Sequence, residues 1–168
     1  MMLCCLFVLM YGCDKMLEDE PFSLKKTPNN SVALRLDGYY YENYSNDSYV
    51  HVLIFYRNGV MIDGGSAHST VEFENWFRDN TFKSIIERQK TRWGLYVIND
   101  TIIKVETIVP TGWLHRFAYT KFGIILNDTT IHFYKNKESW SDVSEAIDDT
   151  FHFKVFSPKP DSINKYIP

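Results

Sequence analysis

From Val32 onward, apolar and polar residues alternate over short runs, the period-two pattern of half-buried strands. Leu34-Arg35-Leu36 and Gly38-Tyr39-Tyr40-Tyr41 open a β-rich run, Asn43 to Ser48 is turn chemistry, and Tyr49 to Tyr56 predicts a second strand. Arg57-Asn58-Gly59 reads as an Asn-Gly hairpin turn into Val60-Met61-Ile62, after which Asp63-Gly64-Gly65-Ser66 breaks the pattern. Between Thr70 and Gln89 the period changes. Phe73, Trp76 and Phe77 share one helical face, as do Phe82, Ile85 and Ile86, so a helical segment is expected to bury Phe73, Trp76, Phe77, Ile85 and Ile86 against a sheet. Ser69 or Thr70 caps its start, Glu72 and Glu74 suit the positive end of the helix dipole, and Asn80 is a point where it splits in two.

Strands then return. Trp93 to Ile98, a turn at Asn99-Asp100, and Thr101 to Ile108 form one predicted hairpin, and Val109-Pro110-Thr111-Gly112 reads as a loop. Trp113 to Thr120 is a further strand. Phe122 to Leu126, a turn at Asn127-Asp128, and Thr129 to Tyr134 form a second hairpin, with Ile124, Leu126, Ile131 and Phe133 expected to face the core and His132 and Tyr134 to face outward or toward a rim. Asn136 to Asp149 is polar, with room for a helical turn, and Phe151 to Phe156 is a last strand ended by Pro158 and Pro160. In that strand Phe151, Phe153 and Val155 share one face and His152 and Lys154 the other. The fold class is mainly β: an antiparallel meander of eight or nine strands forming a barrel or strongly curled sheet, with a helical insertion around residues 70–90.

The N-terminus has a different character. Leu3 to Tyr11 is a short apolar run, too short for the roughly 20 residues that span a bilayer and suited to the core of a secretory signal. Leu9-Met10-Tyr11-Gly12-Cys13 resembles a bacterial lipobox, in which the cysteine is acylated and becomes the first mature residue. Residues 1–12 are therefore expected to be a lipoprotein signal peptide, residues 13–31 a polar tether, and residues 32–168 a single β-barrel-like domain. Cys4, Cys5 and Cys13 are the only cysteines, so cleavage before Cys13 leaves a domain with neither a disulfide nor a cysteine nucleophile. Glu18-Asp19-Glu20 in the tether is open to two readings, a surface-export signal or a solvated linker.

Composition narrows the function classes. Of 168 residues 45% are hydrophobic, 23% charged and 16% aromatic, which excludes disorder and coiled coil as the dominant state. A net charge of -3 with mixed signs leaves no footprint for nucleic acid. No nucleophile elbow, phosphate loop, dinucleotide fingerprint or His-Glu-x-x-His occurs, so no catalytic residue, cofactor or metal is assigned, and the chain is read as a non-enzyme. His132 and His152 are close enough in pattern to meet across neighbouring strands, but two imidazoles fall short of a typical metal site. The carboxylates Glu72, Glu74, Asp79 and Glu87, and those from Asp142 to Asp149, read as solvated faces. Aromatics are the candidate ligand contacts, because Tyr and Trp pair a flat apolar face with a polar tip. Tyr39, Tyr41, Trp76, Trp93 and Trp113 are singled out, with core packing as the competing reading.

Leu36-Asp37-Gly38-Tyr39-Tyr40, Phe55-Tyr56-Arg57-Asn58-Gly59, Trp93-Gly94-Leu95-Tyr96-Val97-Ile98, Ile125-Leu126-Asn127-Asp128-Thr129-Thr130 and the run Phe151 to Pro160 together carry a resemblance. They spread over most of residues 34–162, and the chain resembles a group of small uncharacterised Bacteroidetes lipoproteins with a lipocalin-like barrel. The resemblance implies a lipid-anchored protein of the outer membrane, facing the periplasm or the cell surface. Within such proteins Asp followed by Ser or Thr resembles an O-glycosylation motif, which points to Thr101, Thr129 and Ser162. The expected partners are the membrane, through the lipid on Cys13, and either a small apolar or sugar-like ligand or an envelope protein. Three roles follow: a binding module, a surface accessory protein acting through protein contacts, or an enzyme of unfamiliar type.

Overall fold

The computed structural model describes residues 22–44, 49–111, 115–141 and 143–167. Eight strands run in order: β1 (Gly38–Asn43), β2 (Val50–Phe55), β3 (Val60–Ala67), β4 (Trp93–Asn99), β5 (Ile102–Thr111), β6 (His115–Asn127), β7 (Thr130–Glu138) and β8 (Ser144–Val155). Each pairs antiparallel with the next, and β8 returns to β1 through Gly38 opposite Val155, so the meander closes into a barrel without free edges. Between β3 and β4 stand α1 (Thr70–Arg78) and α2 (Thr81–Ile86), followed by a 3-10 turn at Lys90–Arg92.

The two-sided character of the sheet follows from strand alternation. Tyr40 pairs with Leu53 and Tyr96 with Val105, and these residues join Phe55, Met61, Phe133 and Phe151 in one buried cluster that fills the barrel. Their neighbours Tyr39, Val52, Ile54, Ile62 and Trp93 point to the outside of β1–β4, yet they are buried too, because α1, α2 and both terminal segments cover that face. Phe73 is fully buried there, and Phe82 and Ile86 nearly so. Trp76, Phe77 and Ile85 are only half-buried, with Trp76 and Phe77 packed against the edge of this cluster. Ser69 caps α1 by accepting the Glu72 N–H at 3.1 Å, and Asn80 adopts φ +61° to break the segment where expected.

Several expectations are corrected. The Asp63–Ser66 break is part of β3. Val52 pairs with Gly65 and Leu53 with Asp63, so Gly64 is the extra residue of a β-bulge. Gly64 also allows close packing, because a Cβ there would lie 2.7 Å from the Phe73 ring. Val109, Pro110 and Thr111 are strand, with Pro110 opposite Arg116. The two strands expected around Lys121 are one 13-residue strand, β6, hydrogen-bonded on both sides. No helical turn interrupts the described residues of the polar stretch after Asn136, because Asn136 and Lys137 pair with Glu145 and Ser144. In the second hairpin Ile131 and Phe133 are buried as expected, whereas Ile124 and Leu126 are exposed and Ile125 faces the core. Ile125 pairs with Ile131, and a bulge follows it, which turns Leu126 out. Val155 is also exposed, and Phe153 half-buried, at the end of β8.

Both hairpins form as expected. Asp100 takes φ +56° in the first turn. The second turn uses a different device: Asn127 Oδ1 accepts from the Thr129 N–H at 3.0 Å and its hydroxyl at 2.8 Å. Residues 22–31, expected as tether, lie against the barrel. Ser23 Oγ and the Leu24 N–H donate to the buried Glu106 carboxylate at 2.7 and 2.8 Å, and the buried Asn29 donates to Tyr96 Oη. At the other terminus Tyr56 Oη donates to Pro160 O at 2.8 Å, and Lys159 Nζ donates to the carbonyls of Leu36 and Phe55.

Candidate functional site

The barrel has one apolar and one polar end. At the end holding the β2–β3 turn and the second hairpin turn, Tyr40 Oη donates to Asp128 O at 2.7 Å, and the inside is aromatic and aliphatic. Toward the other end, the register continues the same inward-facing rows with charged and polar residues. Glu42 lies opposite His51, Leu53 opposite Asp63, Val105 opposite Lys121, Lys121 opposite Asn136, and Asn136 opposite Glu145.

The contacts show a layered arrangement. Phe133 and Phe151 meet edge to face and form a floor. Lys121 Nζ stands over both rings at 5.8 and 5.7 Å and pairs with Asp149 Oδ2 at 2.7 Å. The His51 ring meets Phe151 edge-on at 5.5 Å, and its Nε2 pairs with Asp63 Oδ1 at 2.9 Å. Asp63 also accepts the Gly65 N–H at 2.7 Å, a bond supplied by the bulge. Burial works against ionisation of Asp63, but His51, Gly65 and the nearby Arg92 guanidinium together hold its carboxyl below the usual range. Tyr44 stacks parallel to His51 at 6.4 Å.

Among the described residues, two polar atoms in this layer are buried without a hydrogen-bond partner: Glu42 Oε2 and His51 Nδ1. Unmet polar atoms of this kind are rare in folded proteins and each costs on the order of 1–3 kcal/mol. Burial raises the Glu42 carboxyl above its ordinary value, and the negative Asp149 pushes the same way; Lys121, His51 and the Thr150 N–H oppose them. Tyr119, inward on β6, is pushed up to about 12 by burial and by Glu145, Asp149 and Glu138. Where β1 ends beside β8, a cleft of about 430 Å³ opens, lined by Glu42, Asn43, Tyr44, Asp149, Thr150 and His152. The half-buried Glu42, with its Oε2 fully buried, thus belongs both to the barrel end and to the wall of this cleft.

The sequence-designated aromatics fall elsewhere. Tyr39, Tyr41, Trp76 and Trp93 do come together, but on the outer face of the sheet beneath the helices. Tyr39 Oη donates to Glu74 at 2.8 Å, and Trp93 Nε1 donates to Ile86 O at 2.7 Å, both as packing bonds. Trp93 also lines two shallow clefts, of about 270 and 420 Å³, between α2 and the C-terminal segment. Trp113 and Cys13 lie outside the described residues. Thr101 is exposed in its turn, the Thr129 hydroxyl is held by Asn127, and Ser162 Oγ accepts from Asn58 at 3.1 Å. His132 and His152 share the outer face of β7 and β8 but sit two register positions apart, opposite Thr150 and Thr130. Among the described residues no group of three His, Cys, Asp or Glu side chains is placed to hold a metal.

No protein-family profile, curated protein or solved structure matches the chain.

Proposed function

We propose that the protein is a lipid-anchored envelope binding module that holds a small sugar-like ligand, without turning it over, at the polar end of the barrel. The observation that carries this reading is the pair of unpartnered buried atoms, Glu42 Oε2 and His51 Nδ1, on cross-strand neighbours beside an open cleft. A vicinal diol supplies what both lack, one hydroxyl donating to each. Tyr44 adds a flat face next to them, as sugar sites commonly use. A sugar-like ligand is favoured over an apolar one because Tyr40, Phe55, Phe133 and Phe151 already occupy the apolar interior. Binding rather than catalysis is favoured because the polar groups already hold one another, Asp63 with His51 and Asp149 with Lys121. The anchor reading rests on the apolar run, Gly12 and Cys13.

Thermal unfolding against a panel of mono- and disaccharides tests the ligand. At about 100 times Kd a true ligand stabilises by about 2.7 kcal/mol, or roughly 5–10 °C in Tm. The shift is expected to vanish in the double variant Glu42→Ala, His51→Ala while the variant keeps its β circular dichroism. No shift with any sugar, or an equal shift in that variant, overturns the reading. Cys13→Ser tests the anchor: it is expected to move the protein from the membrane to the soluble fraction, and unchanged fractionation refutes the lipid.

A further inference from the structure

Among the described residues, the helices and terminal segments cover one half of the barrel and the outer face of β5 from Glu106 onward, and they leave exposed the outward positions around Ile102 and Lys104 on β5, Ile124 and Leu126 on β6 and the facing part of β7. That face has a defined chemistry. Ile102 lies opposite Ile124, both more than a third exposed, and Leu126 beside them is 58% exposed. In the next row Lys104 lies opposite Phe122 and Phe122 opposite Lys135. The two ammonium groups flank the Phe122 ring, at 5.6 and 4.4 Å from its centre. These cation–π contacts hold two positive charges against an aromatic ring, so basic and apolar groups share this face. Acidic groups border the face: Asp100 and Asp128 in the two hairpin turns, and Asp148 beside His132 at 3.6 Å.

The position of the N-terminal segment chooses the occupant. Ser23 and Leu24 are fastened to Glu106, which sits on the outer face of β5 two residues from Lys104, about 7 Å along the strand. Nine peptide steps separate Phe22 from Cys13, a reach of at most about 30 Å. A lipid on Cys13 therefore tethers the barrel from its β5 side and holds that side within about 30 Å of the bilayer. We infer that the outer face of β5–β7, with Lys104 and Lys135 around Phe122 and Ile102 beside Ile124, rests on an anionic bilayer surface and sets the orientation of the anchored domain. This rests on the anchor reading above.

The test uses the full chain, matured in cells and reconstituted into vesicles of phosphatidylcholine with or without phosphatidylglycerol. With Cys13 acylated, a cysteine introduced at Ile124→Cys, or at Lys83→Cys on the opposite cover, is the free thiol that takes a fluorophore. A lipid-borne quencher is expected to quench the Ile124→Cys probe several-fold more than the Lys83→Cys probe, and only when phosphatidylglycerol is present. Adding Lys104→Glu and Lys135→Glu is expected to bring the Ile124→Cys signal down to the Lys83→Cys level. Equal quenching at the two positions, or quenching indifferent to anionic lipid, in a protein whose Cys13 carries lipid overturns the inference alone. Fluorophore found on Cys13 shows that the lipid is missing, which overturns the anchor reading and the inference with it.

Discussion

The two halves of the barrel are held by different means. Strands β1 to β4 are 6, 6, 8 and 7 residues long and are buried on both faces. Strands β5 to β8 are 10, 13, 9 and 12 residues long, and much of their outer face is open to solvent. In the first half Val52-Leu53-Ile54-Phe55 is buried without a break, the pattern of a sheet covered on both sides. In the second half β7 alternates, with Ile131 and Phe133 fully buried and His132 and Tyr134 partly exposed. Short strands suffice where packing is two-sided, whereas the one-sided half relies on longer hydrogen-bonded ladders. Those longer ladders project past the apolar core, and their inward positions there carry the polar layer of Lys121, Asn136 and Asp149.

This contrast predicts unequal costs for truncation. Phe73→Ala removes a fully buried ring from under the helical cover and is expected to cost about 3–5 kcal/mol in denaturant unfolding. Ile124→Ala on the open face is expected to cost under about 1 kcal/mol. Equal costs would dissolve the distinction between the halves. Glu106→Ala comes next. It unfastens Ser23 and Leu24 and is expected to cost about 2–3 kcal/mol, with hydrogen exchange rising at residues 23–30 before it rises in the strands. Protection unchanged at those amides would show that the N-terminal segment is held by packing alone.

The alkaline limb of stability separates the halves by titration. Burial lowers Lys159 to about 8 from 10.5, with Asp37 opposing. Between those values the unfolded chain binds a proton that the folded chain does not, so this group makes stability rise with pH across the window. Burial raises Tyr39, Tyr56 and Tyr96, the last to about 12, so their contribution is full below about 10 and is lost as pH climbs through the folded values. Tm measured from neutral pH upward is expected to peak near pH 9–10, with a gain of roughly 1–2 kcal/mol, and Lys159→Met is expected to flatten the rising limb. A steady fall from neutral pH would refute the burial of Lys159.

The smallest expected effect lies in the polar layer. Glu42 has its carboxyl raised by burial and by Asp149, so the ionised form destabilises the fold above that raised value. Glu42→Gln is expected to stabilise at pH 7 by a few tenths to about 1 kcal/mol, allowing for the partial exposure of the side chain. A loss of stability would mean that the Thr150 N–H, Lys121 and His51 outweigh the burial of the charge.

Much of this architecture is local and was therefore legible. Asn58-Gly59, Asn99-Asp100 and Asn127-Asp128 mark turns by their own chemistry, and the helical period from Phe73 to Ile86 is plain. The facing of Ile124, Ile125 and Leu126 was not legible, because an unbroken apolar run carries no alternation and the bulge that decides it depends on β7. The polar layer was hidden for a related reason. Glu42, His51 and Asp63 look like ordinary surface residues until Gly64 is counted as a bulge, which brings Asp63 opposite Leu53 and within reach of His51. The aromatics suit ligand contact by type, yet Tyr39 and Trp93 are consumed by packing. Nothing local distinguishes a ring that meets a ligand from one that meets a helix.

The pairing of Gly38 with Val155 has a consequence for how the molecule comes into being. The first strand made must wait for the last. A nascent chain emerging N-terminus first carries β1 and its growing row of partners as an open ribbon with two raw edges until β8 arrives. Closure is thus a late, long-range event, and the slow folding typical of such topology is expected. During that interval the hydrophobic lining, Tyr40, Phe55 and Phe133 among it, is on view to any holding chaperone.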